Sequence, residues 1–222
     1  MIYLDNSATT QPDPSVINSF NEVTKKYFAN PSSIHQLGGE VEKLLDRART
    51  QVATLLEVNA DEVIFTSGGT EGNNLAIKGI AFANQSRGKH IITSQIEHPS
   101  VLEACESLES LGFEVTYLPV NQAGSVSMED LEKAIRKDTV LVSIMHVNNE
   151  MGTIQPIQQI GELLKKYPKI FFHVDGVQGL GKVPLSLKDS YIDLCTFSGH
   201  KIHGLKGTGV MYIRNGTSLY PL

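Results

Sequence analysis

Lys201 stands in Ser198-Gly199-His200-Lys201-Ile202-His203-Gly204, just past a β-rich run, with hydroxyl and imidazole groups around it. A lysine amine in such a place can form a Schiff base once its pKa is lowered enough to leave part of it neutral. Ser198 and His200 could reach a phosphate. A lone loop lysine is otherwise just an exposed cation. In Thr66-Ser67-Gly68-Gly69-Thr70-Glu71-Gly72-Asn73-Asn74, glycines separate a β-rich run from an apolar helical pattern. Glycines let backbone amides approach a ligand closely, and helix N-terminal amides favour a phosphate. Gly69 and Thr70 are the candidate contacts. The pattern fits neither the P-loop nor the dinucleotide fingerprint, and many Gly-rich turns bind nothing.

Asp175 lies in His173-Val174-Asp175-Gly176-Val177-Gln178, after the apolar run Ile170-Phe171-Phe172. That is the expected carboxyl end of a strand, the edge where ligands of parallel sheets bind. A carboxylate there can keep a pyridinium nitrogen protonated; it can also merely cap a turn. His98, in Glu97-His98-Pro99-Ser100, could stack on a flat ring and move protons, or be structural. Asn149, in His146-Val147-Asn148-Asn149-Glu150, could donate to a ring oxygen or close a turn. These stretches all fall at expected strand ends, where one edge of a sheet would gather them. Phosphate cradle, stacking ring, ring-oxygen donor, pyridinium partner and Schiff-base amine together meet the needs of pyridoxal 5'-phosphate.

The elements that must position them follow from periodicity. Short β-rich runs occur at 63–66, 90–94, 114–118, 140–147, 170–174, 194–197 and 210–213. Helical patterns lie between most of them. Val41, Leu44, Leu45, Ala48, Val52 and Leu55 follow amphipathic helical spacing. Asp13-Pro14 reads as a helix start, Ser127 with Asp130 as a capping-box variant, and Pro156 opens a helix running to about residue 167. This alternation predicts an α/β fold with a mainly parallel, seven-stranded sheet flanked by helices. The last two strands lack a helix between them: residues 199–209 are rich in Gly and Lys, a composition that carries function more often than packing. The first dozen residues, before Pro14, are expected to pack apart from the main sheet.

Composition sets the outer bounds. The chain has 222 residues, 41% hydrophobic and 19% charged, with a formal net charge of −5. No basic tract suggests a nucleic-acid partner, and no apolar run suggests a membrane span. The N-terminus carries no secretory pattern. The two cysteines, Cys105 and Cys195, stand far apart in an expected helix and an expected strand. Neither a disulfide framework nor a metal site is expected, and a cytoplasmic location fits best.

The segments YLDNSATT, TSGGTEGNN, EHPSV, MHVNNEMG, HVDGVQ and SGHKIHGLKGTG, in this order, closely resemble the cysteine desulfurases of the class V aminotransferase group. The resemblance covers essentially the whole chain. It implies the large domain of a fold-type I pyridoxal-phosphate transferase, normally a homodimer. It also implies removal of sulfur from L-cysteine, leaving L-alanine. The sulfur passes as a persulfide to an acceptor or scaffold protein of iron–sulfur cluster or thio-cofactor assembly. By the same resemblance Lys201 holds the cofactor covalently, His98 stacks on its ring and Asp175 pairs with the pyridinium. Gln178 and Asn149 face the ring-hydroxyl side and the substrate, and Gly69, Thr70, Ser198 and His200 contact the phosphate. Ala8 and Thr9 fall near the substrate mouth. Residues 1–14 are expected to associate with the small domain and 15–222 to form the cofactor-binding large domain. Members of this family are longer, so the small C-terminal domain and the nucleophilic cysteine are expected to lie outside this chain. Two other readings stand beside this one: another class V enzyme, such as a selenocysteine lyase or an aminotransferase, and a non-catalytic cofactor-binding or dimerising fragment.

Overall fold

The computed structural model describes residues 2–221; Met1 and Leu222, which bound the expected segments 1–14 and 15–222, lie outside the described residues. In chain order the elements are α1 (Pro14–Lys26), α2 (Gln36–Leu56), β1 (Val63–Thr66), α3 (Gly69–Asn84), β2 (His90–Ser94), α4 (Pro99–Glu109) and β3 (Glu114–Leu118). There follow α5 (Met128–Ala134), β4 (Thr139–Met145), α6 (Ile157–Leu164), β5 (Phe171–Asp175), β6 (Leu194–Ser198) and β7 (Gly209–Ile213).

Local chemistry explains the starts. The Asp13 carboxylate accepts from the Ser15 amide at 2.8 Å, and Pro14 supplies the preset φ of a first helical residue. Ser127 Oγ accepts from the Asp130 amide at 3.2 Å, but Asp130 does not close the capping box that its spacing suggested. A complete box forms instead at Asn59 and Glu62, around a 3-10 turn at Ala60–Glu62 that leads into β1. The helix expected to run from Pro156 to about residue 167 ends earlier, at Leu164.

The strands form one seven-stranded sheet in the order β1-β7-β6-β5-β4-β2-β3. β3, β2, β4, β5 and β6 run parallel, while β7 is antiparallel to both β6 and β1. An antiparallel pair needs no crossover helix, which is why the Gly- and Lys-rich stretch between β6 and β7 can be a loop. Every residue of β2, β4 and β6 is buried, as expected of strands covered on both faces. Ala76, Ile77, Ile80, Val101 and Leu108 of α3 and α4 pack on one face of the sheet. Leu131, Ile157, Ile160 and Leu164 of α5 and α6 pack on the other.

From β2 the chain crosses over α4 to β3, and from β4 over α6 to β5 in the opposite direction. Strand order therefore reverses between β2 and β4. The carboxyl edge beside that reversal is where an open α/β sheet binds its ligand.

Candidate active site

Every residue singled out by motif except Thr9 faces one cleft of about 280 Å³ at the carboxyl edge of the sheet. Gly69 and Thr70 come from the start of α3, His98 from the end of β2, and Asn149 from beyond β4. Asp175 and Gln178 follow β5, and Ser198, His200 and Lys201 follow β6. Residues more than a hundred positions apart meet because parallel strands bring all their carboxyl ends to the same side.

The anion end of the cleft is built from backbone. No side chain caps α3, so its first amides stay available to an anion. The Ser67 amide is taken by Glu71, which accepts from it at 2.6 Å and holds the loop in shape. Gly68 has φ +154°, a conformation that L side chains rarely adopt. A Cβ at Gly69 would lie 3.0 Å from Val177 Cγ2, crowding the wall of the cradle.

Asp175 lies at the floor, 5% exposed. Its Oδ1 accepts from the Val177 amide at 3.0 Å and its Oδ2 from Asn73 Nδ2 at 2.8 Å. Burial pushes its pKa up; the Val177 amide, Asn73, His98 and Lys201 all oppose that rise. His98 is the N-cap of α4. Its Nδ1 accepts from the Ser100 amide at 3.1 Å and lies 2.8 Å from Ser100 Oγ. The neutral ring therefore carries its proton on Nε2.

Lys201 ends a 3-10 turn at Gly199–Lys201. The loop around it is folded tightly on itself: a Cβ at Gly199 would meet Thr208 Oγ1 at 2.3 Å. Burial first, then the neighbouring Lys182, lowers the Lys201 pKa, while Asp5 and Asp175 pull it back up. Both lowering effects favour a neutral amine. The ammonium donates to the Ala8 carbonyl at 2.8 Å and also to Ser7.

The N-terminal segment is stitched to this loop. The Thr10 amide donates to the His200 carbonyl at 2.8 Å, the Asp13 amide to the His203 carbonyl at 2.9 Å, and Gln178 Nε2 to the Ser7 carbonyl at 2.8 Å. His200 Nδ1 lies 3.0 Å from Thr9 Oγ1. Asn149 Nδ2 donates to its neighbour Glu150 at 2.8 Å. The described residues before Pro14 add no strand to the sheet; they bond to the loops after β5 and β6, and Ala8 lines the cleft.

Both cysteines are fully buried, Cys105 in α4 and Cys195 in β6. Burial pushes the Cys105 thiol up to about 12 and raises Cys195 well above its ordinary value, so neither presents a thiolate to the cleft. Among the described residues, no cluster of three or more His, Cys, Asp or Glu could hold a metal. No helix among the described residues is long and apolar enough to cross a membrane. A larger hollow of about 580 Å³ lies beyond the end of α2, but Leu55, Leu180, Leu185 and Phe197 make it mainly apolar.

Motif reading passed over Asn73, Ser100 and Glu97. Each sits within a quoted motif, yet its partners are distant: Asn73 reaches Ser100 and Asp175, and Glu97 reaches the Met145 amide. No local pattern signals such contacts. The donor set fits pyridoxal phosphate: an anion cradle at one end, a buried carboxylate on the floor, an oriented imidazole, and an amine of lowered basicity.

Comparison with known proteins agrees with this geometry. The chain is 51% identical over 221 residues to the cysteine desulfurase IscS of Dictyoglomus turgidum, covering 100% of this chain and 56% of that protein. It is 50% identical to the putative cysteine desulfurase IscS 1 of Bacillus subtilis, covering 58% of it. It thus spans little more than half the length of these curated relatives. A solved structure described as a NifS-like protein superposes with a TM-score of 0.97 at 43% identity, over 100% of this chain and 61% of that one. Another, described as SspA in complex with cysteine, gives 0.96 at 41% identity, over 100% and 64%. The model of the class-V aminotransferase family, whose members depend on pyridoxal phosphate, matches residues 2–221. With the family match spanning this cleft and every strand that builds it, the chain belongs to the class-V aminotransferases.

Proposed function

We propose that this chain is the cofactor-binding part of a cysteine desulfurase. The enzyme would convert L-cysteine and a protein thiol to L-alanine and a protein persulfide. The observation that carries the reading is the meeting of Lys201, Asp175 and His98 with the α3 anion cradle in one cleft. The relatives named as cysteine desulfurases and the structure solved with cysteine support the choice of substrate.

Bound pyridoxal phosphate supplies an aldehyde that condenses with amines and a ring that accepts electrons. Gly69, Thr70, Ser198 and His200 bind the phosphate, with the first amides of α3 as donors. Asp175 would keep a pyridine nitrogen protonated. His98 would serve the ring, with Nε2 as its free donor. Asn149 and Gln178 face the ring hydroxyl and the substrate. The Lys201 amine would hold the cofactor and is the base placed to take a proton from the substrate's Cα.

The buried state of Cys105 and Cys195 supports a sulfur-accepting thiol from outside these 222 residues. A homodimer in the cytoplasm, feeding a sulfur acceptor or scaffold protein, completes the proposal. Residues 1–14 serve the substrate mouth and 15–222 the large domain.

The test separates proton chemistry from sulfur transfer. The chain is loaded with pyridoxal phosphate in deuterium oxide, and exchange at the Cα of L-cysteine is followed by NMR. Exchange above that of the free cofactor, removed by Lys201→Ala, is the expected result. Equal exchange with and without Lys201 contradicts the assignment.

A further inference from the structure

Asn73 is 1% exposed and sits in the second turn of α3. Its Nδ2 makes two hydrogen bonds, donating to Asp175 Oδ2 at 2.8 Å and to Ser100 Oγ at 2.9 Å. Nδ2 has only two hydrogens, so its donor capacity is fully used. Ser100 Oγ accepts that bond and lies 2.8 Å from His98 Nδ1, to which it can pass its own hydrogen. One carboxamide thus links the carboxylate on the floor of the cleft to the imidazole at its side.

The amide orientation follows from the partners. Turning it over would put Oδ1 against the Asp175 carboxylate, acceptor against acceptor. In the orientation that satisfies Asp175 and Ser100, Oδ1 is buried with no hydrogen-bond partner. An unpaired buried carbonyl is unfavourable. A residue selected only to fill this space between helix and sheet would be apolar, so the position is held by what Nδ2 does.

We propose that Asn73 is a positioning residue, which holds the Asp175 carboxylate ionised and aimed into the cleft and couples it through Ser100 to the His98 ring. Burial opposes that ionisation. The titratable groups around Asp175 are Glu97 and His98 at the β2–α4 junction, Cys195 on β6 and Lys201 beyond β6. His98 and Lys201 favour the carboxylate, as do the two donors, the Val177 amide and Asn73. Asn73 is the donor that a side-chain substitution can remove. Only the purpose of the device, keeping a pyridine nitrogen protonated, rests on the proposed cofactor.

The experiment is a carbon-13 NMR titration of the Asp175 side-chain carboxyl in the cofactor-free chain, assigned with Asp175→Asn. Asn73→Leu, close in size and without donors, is expected to raise the titration midpoint by about one pH unit or more. In the wild-type chain the Asn73 Nδ2 protons should exchange slowly and shift with the same midpoint as Asp175, a readout that needs no variant to fold. An unchanged midpoint in folded Asn73→Leu overturns the proposal. So do Nδ2 protons that exchange freely and ignore Asp175.

A second arm uses cofactor labelled with nitrogen-15 in its ring. If Asp175 responds to Asn73 but the wild-type chain leaves that nitrogen unprotonated, the Asn73 inference stands and the cofactor reading fails.

Discussion

Glu97, the residue before His98, is 4% exposed. Its Oε1 accepts from Ser94 Oγ at 2.6 Å and from the Met145 amide at 3.0 Å, tying the ends of β2 and β4 together beside the cleft. Burial raises its pKa to about 8, against those two bonds and with a further push from Asp175. The unfolded chain releases this proton near the ordinary glutamate value, about 4.3. From there up to about pH 8 the folded chain keeps a proton that the unfolded chain has lost, so stability falls as pH rises through this window. Glu97→Gln keeps the shape but cannot ionise. Its unfolding free energy from urea titration should exceed that of wild type near neutral pH by an amount on the order of 2–4 kcal/mol, and the two should converge below about pH 4.5. Parallel curves across that range would show that Glu97 is ionised in the fold. The sequence showed Glu97 only as a neighbour of His98. Its burial depends on how β2 and β4 pair, which spacing within EHPSV does not encode. Lys201, Asp175 and His98 were legible because each follows a β-rich run.

At the scale of elements, β1, β2 and β3 begin and end where their β-rich runs do. β4 was read as 140–147 but stops at Met145, because Asn148 turns the chain: its Oδ1 accepts from the amides of Glu150 and Met151. The Asn type was visible, but which of its atoms would take those amides was not. β6 and β7 each gain a residue at one end, since pairing extends a strand past its apolar residues, while β5 shifts by one, losing Ile170 and gaining Asp175. The same limit applies to helix packing. α6 approaches the chain before β6 so closely that a Cβ at Gly161 would lie 1.9 Å from the Ser190 carbonyl oxygen. Backbone cannot yield as a side-chain tip can. Gly161→Ala should therefore lower the unfolding free energy, measured by urea titration, by roughly 1–3 kcal/mol despite the better helix propensity of Ala. A stability equal to or above wild type would mean that α6 moves away freely.

For the whole molecule, a sheet with antiparallel β7 among parallel strands carries the lysine loop on a hairpin braced by the N-terminal segment. α1 keeps no side chain buried, and Phe20 on it and Phe28 beyond it are exposed. Its start at Asp13-Pro14 was legible; how it would pack was not. The alternation of strands and helices indicated the α/β class, and the order of the motifs indicated which strand ends would meet. The place of β7 and the bracing of the loop depend on contacts between distant segments. The chain covers 56% of the Dictyoglomus turgidum relative, and β2, β4, β5 and β6, whose carboxyl ends lead into the cleft, all lie within it. Cofactor capture should therefore be a property of these residues alone. The most direct measurement is the absorbance spectrum after adding pyridoxal phosphate, followed by borohydride reduction and peptide mapping. A visible band with the label confined to Lys201, and lost in Lys201→Ala, is the predicted result. No band, or a label spread over surface lysines and unaffected by that substitution, would contradict the account.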